Sequence, residues 1–554
     1  MLTALAAIGM LGLLIFVHEL GHFLAFKLTG VKVLKFSLGF DPVLLKKQIG
    51  ETSYQLGVIP IGGYVRPLGE DDGDLVVDAD RGRALNDKPL WARALAFAAG
   101  PAMNLAFPVL IYWIVFALPG EELSARVGMT VEGMPAQAAG LMPGDRIVTV
   151  DGIPTPYWSD LQEAIADRPG RAFPIEVERR GGRLTVQVTS ETVKETNKLG
   201  ESRHEGKIGI SPSSIDARVV VPAPGSPAAK AGVQSWDLVR AVNGRKVLDF
   251  SELRDAFDVA GAGKVSLTVA RRDEAGLASD RKGRKDRAAA KVAELSLAVD
   301  SPGTLSGAGI ESASAFVRDV APGTPAEAAG VKPGDRVVAV DGRRVGYWGT
   351  LEDAFRRDPE KAFTLEFARG AETFKAEVRL SKSTARDEFK QEYVHWTFGA
   401  SNDSGYTVGE YAAHPLQPGR GLRESLRTTG EIIRVTYVAV YQLVTGKLSL
   451  KTVGGPIMIF DMAGTVAKKG ATSYFWFMGL ISINLGIFNL LPIPILDGGH
   501  LLLAAIEAAL RRPLSRRVRL GASYAGIAML GSLFVLVMKN DIGRYWDSIL
   551  GLFR

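Results

Sequence analysis

The sequence predicts a polytopic α-helical membrane protein with four transmembrane helices, a membrane-associated β-hairpin region and three inserted α+β domains. Three observations predict this fold class. Four long apolar stretches are almost free of charge, alternating apolar and polar residues follow the first of them, and one sequence pattern occurs three times between the second and the third. The chain of 554 residues is 47% hydrophobic with a mean hydropathy of +0.10, which suits a membrane protein with sizeable soluble parts.

Four segments are long enough to cross about 30 Å of hydrocarbon. The first carries no charge other than Glu19, and it lacks the basic start of a cleavable signal peptide, so we expect it to be retained as a helix. The predicted spans lie at 4–26, 94–120, 470–496 and 520–538.

Lysine and arginine indicate the orientation, because they accumulate in cytoplasmic loops. Ten of them lie between the first and second spans, and five arginines lie within 511–519. We therefore expect both connections to be cytoplasmic, with 121–470 and both termini on the opposite side. The net charge of +6 is modest, and the basic residues cluster near the spans, so no nucleic-acid partner is expected.

The first span contains His18-Glu19-Leu20-Gly21-His22. Residues i and i+4 share one helix face, so both histidines can reach one metal ion, and Glu19 can take a proton from a water that the metal activates. This is the HExxH pattern of zinc hydrolases. The alternative is a helix with two hydrogen-bonded histidines and a buried glutamate, which hydrocarbon makes costly. Since the chain has no cysteine, zinc ligands must be His, Asp or Glu.

Asp497 is the predicted third ligand. Spans one and three run in the same direction under this topology, which brings Asp497 to the depth of the two histidines and leaves a fourth position open for water. His500 is an alternative ligand, but a histidine after Gly-Gly more easily supports the site from outside the ligand set. Prolines and glycines around Asp497 predict a broken backbone that lines a wet cavity, or else a kinked helix end.

Two further regions are candidates for the site. Asn104 is an amide in the uncharged second span, and it could bond substrate or the zinc site, or simply join two helices. Residues 31–70 alternate as in β-hairpins, and a sheet edge there could pair with an unwound substrate. The alternative is an ordinary cytoplasmic hairpin.

The segment between the second and third spans repeats itself at 133–152, 225–244 and 323–342. Each copy predicts a short helix, a turn with aspartate, a strand and a second helix, such as 158–166 or 348–355. The copies resemble PDZ domains of the bacterial protease type, which take up extended peptides along a strand edge. The alternative is that they act only as steric spacers.

The second copy departs from the pattern. Trp236 replaces the turn glycine of the other copies, and a charged insertion runs from Arg271 to Lys291. We expect the insertion to be a solvated loop, and peptide binding by this copy is less well supported.

Four motifs together resemble the site-2 protease family, and within it the bacterial regulator-of-sigma-E protease branch. They follow the family order over nearly the whole chain. They are His-Glu-Leu-Gly-His at 18–22, Gly-Gly-Tyr-Val at 62–65, Ala-Gly-Pro-Ala-Met-Asn at 99–104 and Asn-Leu-Leu-Pro-Ile-Pro-Ile-Leu-Asp-Gly-Gly-His at 489–500.

The resemblance implies an intramembrane zinc protease of the bacterial inner membrane, with zinc held by His18, His22 and Asp497 and with Glu19 as the base. It implies substrates that are single-span membrane proteins already trimmed on the outer side, such as anti-sigma factors or signal-peptide remnants. PDZ-like domains would screen them by size, although the family commonly carries two and this chain has three. The implied substrate-binding residues are Asn489, Asn104, Gly62, Gly63 and Tyr64.

Two rival functions belong to other classes. A PDZ-bearing membrane scaffold with a structural zinc site would use a closed four-ligand set, with His500 as the fourth, and would not need Glu19. A zinc transporter would need several metal sites along a path, and the sequence offers one. The predicted limits of the four spans with their flanking residues are 1–30, 91–120, 470–510 and 518–540, and those of the hairpin region are 31–90. The three PDZ-like copies are predicted at 121–200, 215–300 and 312–383, and a linker with amphipathic membrane-surface helices at 384–469.

Overall fold

The structure is a computed structural model that describes residues 2–69, 80–131, 133–179, 181–196, 202–272, 292–386, 392–407, 409–512 and 514–551. The chain divides into two compact units. The helical unit is formed by Met1–Gly120 and His414–Arg554, and the repeat unit by Glu121–Ala385 and Glu392–Ala413.

The helical unit begins with helix α1, Leu2–Leu28, followed by strands β1, Val33–Ile49, and β2, Thr52–Pro67. The end of β1 forms an antiparallel hairpin with the start of β2, from Ile49 opposite Thr52 to Leu45 opposite Leu56. The segment 35–38 of β1 lies between two segments of β2, since it pairs with both 53–56 and 63–66.

Charged side chains fasten this sheet to the end of α1. The carboxylate of Glu51, in the hairpin turn, accepts hydrogen bonds from Lys27 at 2.8 Å and from Arg83 at 2.6 Å. These two cations hold the pKa of Glu51 below its usual range. The hairpin also exposes large apolar side chains, including Leu44 and Leu45 at 63% and 64%, which is unusual for a surface in contact with water.

Helix α2, Leu90–Ala117, follows a 3-10 turn at Leu85–Asp87 and packs along α1. It contains Pro101 and Pro108 but runs through both. The repeat unit then begins at β3, Gly120–Leu123.

The repeat unit contains three four-stranded antiparallel sheets with the same strand order, in which the first and third strands along the chain are the two middle strands. The first holds β5 Arg146–Val150, β6 Ile153–Pro154, β7 Ala172–Arg179 and β8 Gly182–Thr189. The second holds β14 Leu238–Val242, β15 Arg245–Lys246, β16 Ala262–Arg272 and β17 Val292–Pro302. The third holds β20 Arg336–Val340, β21 Arg343–Arg344, β22 Ala362–Arg369 and β23 Glu372–Arg379.

Each sheet is covered by a short helix that starts at a proline and by a longer amphipathic helix. The apolar faces of the longer helices fill the cores, as Leu161, Leu253 and Leu351 do, each fully buried. The helices are α3 Pro135–Ala138, α4 Trp158–Ala166, α5 Pro227–Lys230, α6 Phe250–Ala260, α7 Pro325–Ala328 and α8 Trp348–Arg357.

Each repeat also has one short two-stranded pairing, whose second strand lies beyond the predicted limit of that repeat. The pairs join β4 Met129–Thr130 to β11 Ile210–Ser211, β13 Val219–Val220 to β18 Glu311–Ser312, and β19 Asp319–Val320 to β26 Ala400–Ser401. The remaining strands are β9 Glu191–Thr196, β10 Ser202–Lys207, β12 Ser214–Ile215, β24 Ser381–Arg386, β25 Glu392–Thr397, β27 Tyr406–Thr407 and β28 Tyr411–His414, and a 3-10 turn lies at Ala313–Ala315.

The insertion in the second repeat differs from its prediction at its start. Arg271 and Arg272 belong to strand β16 rather than to a loop, because Arg271 pairs with the buried carboxylate of Asp237 at 2.7 Å. Residues 273–291 of the predicted insertion lie outside the described residues. Trp236, the residue in place of the turn glycine, has a φ of +75°.

The helical unit resumes with α9, Pro418–Val444, which packs against α2. Thr436 of α9 donates to Asn484 of the third span at 3.0 Å. The remaining elements are a 3-10 turn at Leu450–Thr452 and helices α10 Pro456–Lys469, α11 Ala471–Asn489, α12 Asp497–Leu510 and α13 Arg516–Gly551.

Four helices of the described residues are long and apolar enough to cross a membrane, which confirms the predicted number. They lie at Thr3–Leu28, Leu90–Ala117, Ala471–Asn489 and Arg516–Trp546. The third predicted span, 470–496, is shorter as a helix because α11 ends at Asn489, and Asp497 begins a separate helix. The fourth extends well past its predicted end at 538.

Candidate metal centre

The side chains of His18, His22 and Asp497 meet in the helical unit. Nε2 of His18 lies 3.1 Å from Oδ2 of Asp497, and Nε2 of His22 lies 3.4 Å from Oδ1. The two Nε2 atoms are 3.2 Å apart. One ligand atom from each of the three residues falls within 4.8 Å of the others, and both histidines are buried. Two imidazoles and a carboxylate at this spacing are a donor set that suits zinc.

Helix α2 fixes the ring of His22. Nδ1 of His22 lies 2.8 Å from the carbonyl oxygen of Ala96, so this nitrogen carries the proton and Nε2 keeps its lone pair. Two glycines allow this approach: a Cβ at Gly100 would overlap the His22 ring, and a Cβ at Gly21 would overlap the carbonyl of Ala99. The close crossing of α1 and α2 therefore depends on residues without side chains.

His18 is held from two sides by amides. Nδ2 of Asn104 lies 3.1 Å from Nδ1 of His18, and Nδ2 of Asn489 lies 3.5 Å from its Nε2. Asn104 is fully buried, and its backbone carbonyl oxygen accepts a hydrogen bond from the hydroxyl of Ser482 of α11 at 2.8 Å. Thus α1, α2 and α11 are joined at this level by side chains that include both predicted asparagines.

The break between α11 and α12 presents Asp497. The segment folds back on itself through hydrogen bonds from Ile493 to Leu491 and from Leu496 to Ile493. Asp497 follows in the first turn of α12, and the next two residues are glycines that contact the backbone of this segment too closely for any side chain. The predicted broken backbone is present, and it turns the carboxylate toward α1.

Glu19 lies next to the ligand set and to the sheet. Its carboxylate accepts a hydrogen bond from the backbone of Val65, and its Cγ would lie 3.4 Å from a Cβ at Gly63. Gly62 instead packs against the ring of Phe40, and Tyr64 pairs with Ser37 of β1. Of the three predicted hairpin residues, Gly63 is the one brought against Glu19.

His500 lies apart from the three ligand atoms. Its ring stacks on Phe97 of α2, with the ring centroids 4.8 Å apart and the planes at 15°. One turn earlier along α2, Arg93 forms a 3.2 Å ion pair with Glu507 of α12, whose side chain is 7% exposed. These contacts hold α12 against α2, and with it the helix start that carries Asp497.

The repeat unit contains a hollow of about 850 Å³ that is lined by residues of the first and third repeats. Trp158, Leu161 and Ile165 of α4 form an apolar wall. Residues of the third repeat, including Arg343 and Tyr347, line the same hollow. Its size would admit several residues of an extended peptide.

Comparison with known proteins bears on this geometry. The model of peptidase family M50 matches residues 6–533. The chain belongs to peptidase family M50. Among relatives, the regulator of sigma-E protease RseP of Escherichia coli is 29% identical, with 96% of this chain and 97% of that protein covered. A Xylella fastidiosa protein named "Putative zinc metalloprotease" is 29% identical, with 95% of each chain covered. The comparison with a solved PDZ domain protein from Parabacteroides distasonis covers 54% of this chain and 99% of that one, at 10% identity and a TM-score of 0.13.

This M50 protein is therefore a zinc metalloprotease of the site-2 type, as its sequence motifs predicted. Its apolar helices make it a membrane-embedded member of the RseP branch. Sequence reasoning gave no role to Gly21, Gly100 or the carbonyl of Ala96. The sequence did contain one signal for these glycines. A glycine inside an apolar helix is unfavourable, so its presence there indicates that close packing or function requires it.

Proposed function

We propose that this protease hydrolyses peptide bonds within or near the transmembrane segment of single-span membrane proteins. His18, His22 and Asp497 hold the zinc, and Glu19 acts as the general base. The observation that carries the proposal is the convergence of these three ligand atoms within 4.8 Å, beside Glu19, on helices apolar enough to span a membrane.

The hydrogen bonds around the histidines fit a bound zinc. Oδ1 of Asn104 is buried without a hydrogen-bond partner among the described residues, while Nδ2 faces His18. A 180° rotation of the side-chain amide exchanges its oxygen and its nitrogen without changing the space that it fills. With Oδ1 toward the ring, Nδ1 of His18 donates to it and Nε2 is left with a lone pair for the metal.

Zinc held by these residues would polarise the scissile carbonyl and make a water molecule more acidic. Glu19 lies in position to accept the proton of the attacking water and to pass it to the leaving amine. Asn489, whose Nδ2 lies 3.5 Å from Nε2 of His18, is proposed to donate a hydrogen bond to the substrate backbone. These roles need one carboxylate outside the ligand set, which distinguishes a catalytic site from a structural one.

A substrate helix must unwind before its peptide bonds can be attacked, because helical hydrogen bonds shield them. The 63–66 segment of β2 pairs on one side with 35–38 and lies next to Glu19. Its other edge is proposed to take up an extended substrate strand. Gly62, Gly63 and Tyr64 are then the residues that contact the substrate near the bond to be cut, and the exposed apolar tip of the hairpin enters the membrane.

The three repeats are proposed as PDZ-like domains that screen substrates by size. Each combines a four-stranded sheet with one amphipathic helix, and the hollow beside α4 suits an extended peptide. The basic connections at 27–93 and 511–519 support an inner-membrane orientation in which the metal site lies toward the cytoplasm and the repeats lie outside. Trimmed substrates would then reach the site and intact ones would not.

The test is cleavage of a single-span model substrate, with and without its outer domain, by the purified full-length protein. We expect wild type to cleave only the trimmed form. Glu19→Gln is expected to abolish cleavage while the zinc content stays near one ion per chain. Asp497→Ala is expected to lose both the bound zinc and the cleavage activity.

Each other outcome contradicts a stated part of the proposal. Equal cleavage of both substrate forms would remove the size filter but keep the protease. Normal turnover by Glu19→Gln would refute its role as base. A wild type that binds zinc and cleaves neither form would favour the membrane scaffold with a structural zinc site.

A further inference from the structure

The turn that carries Asp497 touches the last helix, α13, through the main chain. A Cβ at Gly526 of α13 would overlap the carbonyl oxygen of Pro494 and would lie 2.6 Å from its carbonyl carbon. Backbone atoms cannot move aside as the end of a flexible side chain can. Only glycine at position 526 therefore permits this approach. Pro494, the residue that it contacts, lies three residues before Asp497, the proposed zinc ligand.

The turn does not hold its shape by local preference. Ile495 has a φ of +105°, in a region that strongly favours glycine and is a clear outlier for a β-branched residue. Such a conformation is strained and persists only where the surroundings impose it. Ile495 is 46% exposed, so burial of its own side chain does not supply that constraint.

Helix α13 contacts the rest of the protein at few positions. Within its most apolar window 6% of the residues are buried, against 33% in each of the other three spans. From Arg516 to Leu536 the one buried residue is Gly526. The contact with Pro494 therefore lies at the most buried position of this half of the helix.

The other half of α13 is fixed by polar bonds. The carboxylate of Asp541, fully buried, accepts hydrogen bonds from the backbone N–H groups of Gly455, Ile457 and Met458 at the start of α10. Tyr545 adds a 3.0 Å hydrogen bond to Asp461. Since α10 packs on α1, the position of α13 is set relative to the helix that carries both histidines.

We propose that Gly526 of the last span is a positioning residue for Asp497, and that α13 sets the distance of this carboxylate from His18 and His22. The inference rests on the proposed role of Asp497 as a zinc ligand. A shift of α13 away from Pro494 removes the support of a strained turn, so the last span is the element through which the membrane or a substrate can change the metal site.

The test compares Gly526→Ala with Gly531→Ala in the full-length protein. Gly531 lies in the same helix, with open space where a Cβ would be. Gly531→Ala is expected to retain wild-type zinc affinity and to be slightly more stable, since alanine is the better helix former. Gly526→Ala is expected to bind zinc about 10–100-fold more weakly, the range typical of losing a group that orients a ligand. Zinc affinity is measured by competition with a chelating dye, and cleavage is measured in parallel.

Asp497→Ala separates this inference from the function on which it rests. If Asp497→Ala binds zinc as wild type does, the ligand assignment fails and the inference fails with it. If Asp497→Ala loses zinc but Gly526→Ala matches Gly531→Ala, the inference alone is overturned. Added zinc is expected to restore cleavage in Gly526→Ala but not in Glu19→Gln.

A second measurement leaves the contact intact and so remains valid if Gly526→Ala does not fold. Because the chain has no cysteine, single cysteines can be labelled without background. We expect Ser523→Cys, one turn from Gly526, to react several-fold faster with a thiol reagent after zinc is removed. Ser532→Cys, farther along α13, is expected to react at the same rate with and without zinc. If zinc removal leaves the reaction rate of Ser523→Cys unchanged, as at Ser532→Cys, the coupling between α13 and the metal site is overturned.

Discussion

At the scale of single residues, the proposed metal centre depends on groups that hold the two histidines rather than on the histidines alone. Ala96 accepts the Nδ1 proton of His22, and the side chain of Asn104 faces Nδ1 of His18. Each contact leaves the Nε2 atom directed toward Asp497. An imidazole binds a metal through one nitrogen only when the other carries the proton, so these contacts decide which nitrogen is available.

Asn104→Ala distinguishes the two roles that the sequence leaves open for this residue. If Asn104 holds His18, zinc affinity is expected to fall about tenfold while KM at saturating zinc stays unchanged. Zinc competition and steady-state cleavage measure the two quantities. Asn484→Ala is the control, because that amide bonds Thr436 instead of the metal site. An unchanged zinc affinity with a raised KM would assign Asn104 to substrate binding.

At the scale of elements, one ion pair recurs in all three repeats. An arginine at the end of the third strand binds a buried aspartate at the start of the first strand through two hydrogen bonds, and the same arginine donates to a glycine carbonyl. Each aspartate is 1% exposed. The pairs are Arg179–Asp145, Arg271–Asp237 and Arg369–Asp335, with Gly140, Gly232 and Gly330 as the carbonyls.

Removing the arginine from such a pair leaves a buried carboxylate without its partner. Arg369→Met is expected to destabilise the third repeat, and by less than the loss of a fully buried pair would, because Arg369 is 39% exposed. Hydrogen exchange of β20 and β22 in the full-length protein measures the loss. Arg356→Met removes an exposed ion pair with Asp353. It is expected to change the free energy of opening, as derived from hydrogen exchange, by less than about 0.5 kcal/mol. Equal protection in both variants would contradict this account.

At the scale of the whole molecule, the proposed metal centre joins parts of the helical unit that are far apart in the chain. The proposed ligands come from α1 and from the start of α12, while α2 and α11 supply the groups that hold them. A metal bound between these elements stabilises the packed state, because the unfolded chain offers no preformed site.

Zinc is therefore expected to stabilise the folded protein by about 4 kcal/mol at a free concentration one thousand times its Kd. The apparent Tm of the purified protein would fall by several degrees on chelation and recover when zinc is added. Asp497→Ala is expected to show no zinc-dependent shift. A wild type whose Tm does not respond to zinc would contradict the assignment of these three ligands.

Some features of the fold and of the site could be predicted from local sequence. Long uncharged runs identified four spans because hydrocarbon excludes charge, and the HExxH spacing placed His18 and His22 on one helix face. Prolines and glycines around Asp497 indicated the broken backbone. The start of the insertion could not be predicted, because Arg271 is drawn into a strand by its pairing with Asp237, a contact between residues distant in sequence.

The sequence by itself determined the family, the number of apolar spans, the threefold repeat and the candidate ligands, since each follows from residue type and spacing along the chain. Only the tertiary structure decided how those ligands are held. The carbonyl of Ala96, the space at Gly100 and the contact of Gly526 with Pro494 involve backbone atoms or absent side chains. Backbone carbonyls and missing side chains form no recognisable motif in a sequence. Their importance appears only when another helix is packed against them.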